Sequence, residues 1–182
     1  MPVDVRRFSP GMGFECPSPA YLDANFVISF SFEGHDLFES ARELFGELLE
    51  TGVTVVLTTL AVDEIWWGLF CEWYARDNDG RKPTASGVRR DPDLLDPYRK
   101  EIESFTGDLL AWPGARFFGA MSADVRSLVR GALQHLVREG LRPRDAFHLA
   151  LAQRARARAF VTSDRDFDGL RLPDYDLVIM KF

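Results

Sequence analysis

Four acidic side chains occur where the fold could bring them to one ligand. Asp23 ends a short apolar segment that predicts a strand, and Asp164 directly follows a second predicted strand, RAFVT at 158–162. Glu64 lies one turn into a predicted helix, and Asp145 lies in the first turn of another. If these carboxylates meet, they form an all-oxygen site of the kind that binds a hard divalent cation.

The negative charge of such a group requires compensation. Two carboxylates about 4 Å apart repel by about 1 kcal/mol in water and by about 4 kcal/mol at an effective dielectric constant of 20. The chain has only three lysines, at positions 82, 100 and 181, and we expect none of them near the acids. Mg²⁺ or Mn²⁺ is therefore the expected counter-ion, while zinc is disfavoured because the group contains no Cys/His ligand set.

Each acid taken alone has a simpler explanation. Asp145 could interact favourably with a helix dipole, and Asp164 with Asp166 could stabilise a turn. Glu64 could be a solvated helix residue. Asp23 is harder to explain in this way, because an ionised side chain flanked by a buried strand needs a partner. The functional hypothesis therefore rests on the four acids together and not on any one of them.

The elements that would position these acids alternate between helix and strand. Apolar residues at helical spacing predict helices, and short apolar or β-branched runs predict strands. Helices are predicted at 36–50, 60–74, about 97–110, 123–139 (with Ser122 as N-cap) and 143–158, and strands at 53–58, 158–162, 176–180 and a segment ending at Asp23. This alternation predicts an α/β fold, a single domain with a central parallel sheet flanked by helices, whose ligands bind at the carboxyl ends of the strands.

Length and composition exclude several classes of protein. A chain of 182 residues with 46% apolar residues is long enough for one domain with a substantial core. Two cysteines without a CxxC pair argue against a disulfide framework and against a structural zinc site. No apolar run reaches the roughly 20 residues of a membrane helix, and the first residues lack the apolar core of a signal peptide. We therefore expect a cytoplasmic protein that does not bind membranes.

The formal net charge of −6 argues against a generic polyanion-binding surface, but the charges are unevenly distributed. Residues 116–158 contain nine arginines and three acids, a local net charge of +6, so the rest of the chain carries about −12. Such a distribution could place a phosphate-binding edge beside an acidic pocket. Arg142 and Arg144, next to Asp145, are the candidates for substrate contact, and most of the other arginines are interpreted as solvated helix surface.

Aromatic and histidine residues near the acids have structural interpretations. Trp66 and Trp67 could stack on bases, but aromatic residues on an apolar helix more often belong to the core or to a dimer interface. His148 shares a helix face with Asp145. We interpret it as a packed, hydrogen-bonded histidine rather than a metal ligand.

Four segments resemble the acidic motifs of PIN-domain nucleases, and in particular of the VapC-like toxins of bacterial toxin–antitoxin pairs. They are LDANFV (22–27), VDEIWWGL (62–69), RDAFHLALA (144–152) and VTSDRDF (161–167). Their order and spacing match across residues 20–182. The resemblance implies a Rossmann-like parallel sheet, a site for Mg²⁺ or Mn²⁺ and endoribonuclease activity on an RNA substrate. It also implies a homodimer and a cognate antitoxin as partner.

The resemblance extends to individual residues. It implies a catalytic quartet of Asp23, Glu64, Asp145 and Asp164. We expect Asp23 and Asp164 to bind the metal directly, and Asp145 to complete the coordination or to hold a metal-bound water. Glu64 would be a further ligand or the general base. Small polar residues that support the carboxylates, and one additional acid, are also implied: Asn25, Thr162 and Asp166. Residues 1–19 would be an N-terminal extension, 20–182 the nuclease domain, and about 76–100 a loop or insertion within it.

Other functions stay open at this point. A catalytically inactive PIN-like domain could bind RNA or protein, although such a domain has no chemical need for all four acids. An aspartyl-phosphate phosphatase of the haloacid dehalogenase type also places an aspartate after its first strand, but it requires a second acid two residues later, where this chain has Asn25. An oligomerisation module is supported only by the aromatic helix at 60–74.

Overall fold

The computed structural model describes residues 2–9, 14–119, 125–173 and 175–182. The predicted N-cap at Ser122 lies outside these ranges. Within them, no helix is both long and apolar enough to cross a membrane. The helices and strands that follow are those of the described residues.

Six strands form one sheet in which every neighbouring pair is parallel. The strands are β1 (Asp4–Arg7), β2 (Ala20–Leu22), β3 (Val55–Thr58), β4 (Ala115–Phe118), β5 (Ala159–Val161) and β6 (Val178–Lys181), in the spatial order β1-β6-β5-β2-β3-β4. The predicted α/β architecture with a central parallel sheet is confirmed. The sequence analysis missed β1 and β4, the two edge strands, whose residues are largely exposed and lack a continuous apolar run.

The described residues form seven helices, and all of them except α4 pack on one of the two faces of the sheet. They are α1 (Ala24–Ser31), α2 (Phe38–Glu50), α3 (Thr59–Asp77), α4 (Ala85–Arg90), α5 (Arg99–Leu110), α6 (Val125–Glu139) and α7 (Pro143–Arg154). All five predicted helices are present, and α7 ends four residues earlier than expected. Helix α1 was not predicted, because its apolar sequence follows β2 without an intervening loop and continues the same hydrophobic run.

The segment at 76–100 contains short helices as well as exposed loop. Helix α4 is followed by a 3₁₀ helix at Pro92–Tyr98. Tyr98 is buried and its ring lies 5.6 Å from that of Phe70 on α3. A small apolar cluster thus attaches this segment to α3.

The core has two parts, one on each face of the sheet. Alternate residues of each strand point to opposite faces. Leu22 and Leu57 pack under α1, α2 and α3, whereas Tyr21, Val56 and Phe160 pack under α6 and α7. Burial on both faces explains why the central strands are short uninterrupted apolar runs.

The apolar stripe predicted on α6 is only partly buried. Leu128 and Ala132 face the core. Five further large apolar residues of this helix are exposed to solvent: Val125, Val129, Leu133, Leu136 and Val137. An apolar surface of this kind is typical of a contact with another molecule.

Helices α1 and α3 approach each other closely at Gly68. A Cβ atom on this residue would lie 2.3 Å from Ile28 Cδ1 and 3.0 Å from Ile28 Cγ1. Gly46, in the interior of α2, is a matched contrast, since no atom lies within 4 Å of the corresponding position. Substitution of Gly46 therefore tests helix propensity alone, and substitution of Gly68 tests the steric contact as well.

We expect Gly46→Ala to raise the free energy of unfolding by about 0.5–1 kcal/mol, because alanine is preferred over glycine in a helix interior. Gly68→Ala should lower the same quantity by about 1–3 kcal/mol, because the added methyl group displaces Ile28. Urea denaturation measures both. Ile28→Val, which removes the Cδ1 methyl, should recover part of the loss, and equal stability of the two alanine variants would contradict this account.

Candidate active site

The predicted acidic residues meet at the carboxyl ends of β2 and β5. Asp23 follows β2 directly and accepts a hydrogen bond from the backbone N–H of Ala24 at 2.8 Å, as the N-cap of α1. Asp164 follows β5 and accepts from the N–H of Asp166 at 2.9 Å, at the start of a short 3₁₀ helix. Because β2 and β5 are neighbours, their ends lie side by side.

Asp23 is joined to the β5 end through two small polar side chains. Thr162 Oγ1 donates to Asp23 Oδ2 at 2.7 Å, and Asn25 Nδ2 donates to the same oxygen at 2.9 Å. Asn25 Oδ1 accepts from the backbone N–H of Ser163 at 3.3 Å. Asn25 and Thr162 thus lie where they can support the Asp23 carboxylate by hydrogen bonding.

Burial raises the pKa of the Asp23 carboxyl, because removal from water disfavours its charge. The charge of His148 and the hydrogen bonds from Thr162 and Ala24 act in the opposite direction. Only 7% of Asp23 is exposed, so these donors are what make a carboxylate tolerable at this position.

Glu64 reaches the site from α3 and is held from two sides. His148 Nε2 lies 2.8 Å from Glu64 Oε2, and Arg144 Nη1 lies 3.1 Å from Oε1. Burial disfavours the ionised form, but the hydrogen bond and charge of His148 and the charge of Arg144 lower the pKa of Glu64 overall. Glu64 is therefore held as a carboxylate.

Asp145 lies in the first turn of α7, as predicted, and its environment is unfavourable for a charge. Its Oδ2 atom is buried and has no hydrogen-bond partner among the residues that the structure describes. Burial raises the pKa of Asp145, and the charges of Asp164, Asp166 and Asp23 raise it further. This oxygen lacks the partner that buried polar atoms normally have.

The ligand atoms of the site fall into two groups. One oxygen from each of Asp145, Asp164 and Asp166 lies within 4.8 Å of the other two. Asp23, Glu64 and His148 form a second group with the same spacing. The first group contains oxygen ligands only, which is the donor set of a hard cation, and one of its members is Asp145, whose Oδ2 atom is unpartnered.

The expectation that no lysine lies near the acids was wrong. Lys181, on β6, is buried, and its ammonium group donates to the backbone carbonyl of Asp164 and lies 2.9 Å from Asp168 Oδ1. The contact could not be read from the sequence, because the pairing of β6 with β5 is what brings Lys181 beside the loop after β5. Both described contacts of the ammonium group are with the segment after β5, one with the backbone carbonyl of Asp164 and one with the side chain of Asp168. Lys181 therefore orders this loop.

Arg142 and Arg144 lie beside the acids with exposed side chains. Arg142 Nε is 3.3 Å from Asp166 Oδ2, and Arg144 contacts Glu64 as described above. Both guanidinium groups are thus within reach of the site and of solvent.

Two of the three tryptophans of α3 do not belong to the core. Trp66 and Trp67 are 41% and 38% exposed, so of their two structural interpretations the core was wrong, and the dimer interface stays a prediction. Trp66 Nε1 donates to Thr106 Oγ1 at 2.9 Å. Together with Leu110 and Phe117, Trp66 lines an apolar groove of about 560 Å³ between α3, α5 and β4.

His148 is 2% exposed and hydrogen-bonded through both ring nitrogens, which confirms its interpretation as a packed histidine. Its second partner is Tyr21, whose hydroxyl lies 2.7 Å from Nδ1. Tyr21 and its neighbour Thr58 were not singled out from the sequence. A tyrosine and a threonine at buried strand positions are the signals that could have identified them, since a buried hydroxyl needs a partner.

Three comparisons with known proteins bear on this arrangement. No family model and no curated protein matches the chain. A search of solved structures matches the crystal structure of Mycobacterium tuberculosis VapC20, described as a sarcin–ricin loop cleaving toxin, with a TM-score of 0.50 and 14% identity. The match covers 81% of this chain and 92% of VapC20. The chain has a PIN-like fold. At this level of identity the likeness concerns the fold, and the chemistry depends on the residues described above.

Within this PIN-like fold, the unpartnered carboxylate leads to a prediction about stability. We expect Asp145→Asn to raise the free energy of unfolding in EDTA by about 1 kcal/mol, because the amide removes one charge and can donate to a neighbouring carboxylate. Urea denaturation in EDTA measures the difference.

Asp176→Asn is the matched control, because the Asp176 side chain is 90% exposed. It should change the stability by less than about 0.5 kcal/mol. A loss of stability in Asp145→Asn would contradict this expectation, because it would show that a favourable partner stabilises the Asp145 carboxylate.

Proposed function

We propose that this protein is a divalent-metal-dependent endoribonuclease and the toxin of a toxin–antitoxin pair. The observation that carries the proposal is the group of three carboxylates of Asp145, Asp164 and Asp166, with one buried unpartnered oxygen, at the carboxyl ends of the sheet in a PIN-like fold. The proposal includes the division of the chain into an extension at 1–19, which contributes the edge strand β1 to the sheet, and a nuclease domain at 20–182.

The residues present fit a Mg²⁺ or Mn²⁺ ion. Asp145 and Asp164 are the proposed direct ligands, and the structure adds Asp166 to them. Asp23 is the proposed third ligand from the sequence analysis, and its charge is close enough to raise the pKa of Asp145. A divalent ion bound by these carboxylates would polarise the scissile phosphate and lower the pKa of a bound water.

The remaining residues have roles that follow from their contacts. Glu64 is held ionised and half-enclosed, so it can accept the proton of an attacking water as a general base. Asn25 and Thr162 hold the Asp23 carboxylate in a fixed orientation. Such fixed orientation is what makes a charged site effective in catalysis.

The arginines next to Asp145 supply the attraction for a polyanion. The side chains of Arg142 and Arg144 are 78% and 64% exposed, and each already contacts a carboxylate of the site. An RNA phosphate would compete for these guanidinium groups, which bind phosphate well through paired N–H donors. We propose that both arginines bind the phosphates that flank the cleaved bond.

VapC20 is described as cleaving the sarcin–ricin loop. We therefore propose structured RNA as the substrate class and an RNA hairpin with the sarcin–ricin loop sequence as the first substrate to assay. We also propose a cognate antitoxin and a homodimer as partners, on the basis of the family resemblance. The exposed apolar residues of α6 and the groove beside Trp66 are available surfaces for such contacts.

A phosphatase of the haloacid dehalogenase type stays the second enzymatic candidate. This chemistry also requires a lysine near the phosphate. Lys181 lies closer to the acids than the sequence indicated, since it contacts the Asp164 loop. Its ammonium group is nonetheless engaged with Asp168, and the position two residues after Asp23 is Asn25. We keep this activity as an outcome of the assay.

Cleavage of the hairpin by purified protein tests the proposed function. We expect product with Mg²⁺ or Mn²⁺, none in EDTA, and a loss of at least about 100-fold in rate in Asp145→Asn, because an amide is a poor ligand for a hard cation. Asp145 is preferred to Asp23 for this variant, because both carboxylate oxygens of Asp23 accept hydrogen bonds and an Asn there would place its amide N–H against a donor in either orientation.

Asp176→Asn serves as the control here too, and its rate should equal that of the wild type. Equal cleavage by the wild type and Asp145→Asn would exclude the metal-nuclease assignment. Hydrolysis of p-nitrophenyl phosphate without RNA cleavage would favour the phosphatase, and RNA binding without cleavage would favour an inactive PIN-like domain.

Metal binding can be measured without RNA. Mn²⁺ at about 100 times its Kd should raise the free energy of unfolding of the wild type by about 2.7 kcal/mol, because the folded state alone binds the ion. Asp145→Asn should lose most of this increase, and Asp176→Asn should retain it. Urea denaturation with and without Mn²⁺ gives both values, and an identical Mn²⁺ effect in the two variants would place the ion elsewhere.

A further inference from the structure

Three buried side chains behind Glu64 form a row of hydrogen bonds that the chemistry above does not use. The hydroxyl of Tyr21, on β2, lies 2.9 Å from Thr58 Oγ1 and 2.7 Å from His148 Nδ1. His148 Nε2 lies 2.8 Å from Glu64 Oε2. Tyr21 and Thr58 are fully buried, and His148 is 2% exposed. The row thus links the centre of the sheet to a carboxylate of the candidate site.

The available donors determine the direction of each hydrogen bond. Thr58 Oγ1 accepts from the backbone N–H of Ala61 at 3.3 Å, as the N-cap of α3. Among the contacts within the described ranges, Tyr21 Oη is the acceptor available to the Thr58 proton, so the Tyr21 proton points to His148 Nδ1. In its neutral form, His148 is then protonated at Nε2 and donates to Glu64. The charge by which His148 lowers the pKa of Asp23 and of Glu64 is present only when Nδ1 is protonated as well.

This arrangement leaves His148 without a free nitrogen lone pair. Nδ1 accepts from Tyr21, and Nε2 carries the proton that Glu64 accepts. His148 lies close enough to Asp23 and Glu64 to be counted with them as a possible ligand group. Its two hydrogen bonds nonetheless make it a partner of the carboxylate rather than a ligand of an ion.

The two partners of Glu64 differ in exposure to solvent. The Arg144 side chain is 64% exposed and also lies 3.7 Å from Asp63, so it can exchange partners at the surface. The His148 ring is enclosed, and its orientation is set by Tyr21. His148 is therefore the contact that can keep Glu64 in place when Arg144 turns to bind a phosphate.

We propose that His148, oriented by Tyr21, is a positioning residue that holds Glu64 for its role in the reaction. This inference rests on the proposed function, in which Glu64 acts on the attacking water. A partner of this kind fixes the orientation of a catalytic carboxylate, and its loss typically reduces activity by about 10–100-fold.

Kinetics on the RNA hairpin test the role of His148. We expect His148→Leu to lower kcat by about 10–100-fold with little change in KM, because the contact serves the reaction and not RNA binding. His148→Gln should recover most of the rate, since its amide can accept from Tyr21 and donate to Glu64. Tyr21→Phe, which can keep the ring stacked 4.9 Å from Phe160, should lower kcat in the same direction.

His135 provides the matched control. It is also a buried histidine on a helix, and its Nε2 lies 2.8 Å from Gln153 Oε1, but its contacts are on α6 and α7 away from the acids. His135→Leu should leave kcat unchanged. A His148→Leu protein that is folded by circular dichroism and as active as the wild type would overturn the proposal, as would equal rates for His148→Leu and His148→Gln.

A measurement that does not depend on activity separates this inference from the proposed function. Two-bond ¹H–¹⁵N spectra of the histidine rings at pH 8 report which nitrogen carries the proton. We expect His148 to be protonated at Nε2 only, and Tyr21→Phe to shift the Nδ1 resonance. A proton on Nδ1 would overturn the assigned hydrogen-bond directions. Absence of RNA cleavage by the wild type with the expected spectrum would reject the nuclease, and the contacts of His148 would stand.

Discussion

The hydrogen bond from Thr162 to Asp23 joins the ends of two neighbouring strands, and the candidate site depends on it. Asp23 directly follows β2 and Thr162 directly follows β5, and Asn25 adds a second donor to the same carboxylate oxygen. The backbone after Thr162 is tied back to Asn25 through Ser163, so the loop that carries Asp164 starts from a fixed point. The position of Asp164 relative to Asp23 is thus a consequence of strand pairing and two small polar side chains.

Concentrating carboxylates at this edge opposes folding. Asp23 and Asp145 have raised pKa values because burial disfavours their charges, and for Asp145 the neighbouring acids act in the same direction. The protein offsets part of this repulsion with His148 and Arg144, both on α7, and with Lys181 on β6. The compensation is incomplete at Asp145, and incomplete compensation is common where a site is built for a ligand.

Charge is separated on the surface as well. The arginines of residues 116–158 belong mainly to α6, α7 and the segments next to them, on one face of the sheet. Arg142 and Arg144 bring this positive region to the edge of the acidic group. The net charge of −6 averages over two regions of opposite sign, so it is a poor guide to the ligands of this protein.

The α/β architecture, the approximate extents of five helices and four strands, and the set of acids that the fold brings together could all be predicted from the sequence. These features depend on local hydrophobic periodicity and on the rule that parallel strands place ligands at their carboxyl ends. Three features depend on tertiary contacts: which acids share a group, the reach of Lys181 to the loop after β5, and the position of Tyr21 and His148 behind Glu64. Lys181 and Asp164 are 17 positions apart and Tyr21 and His148 are 127 positions apart, so no local pattern in the chain encodes these contacts.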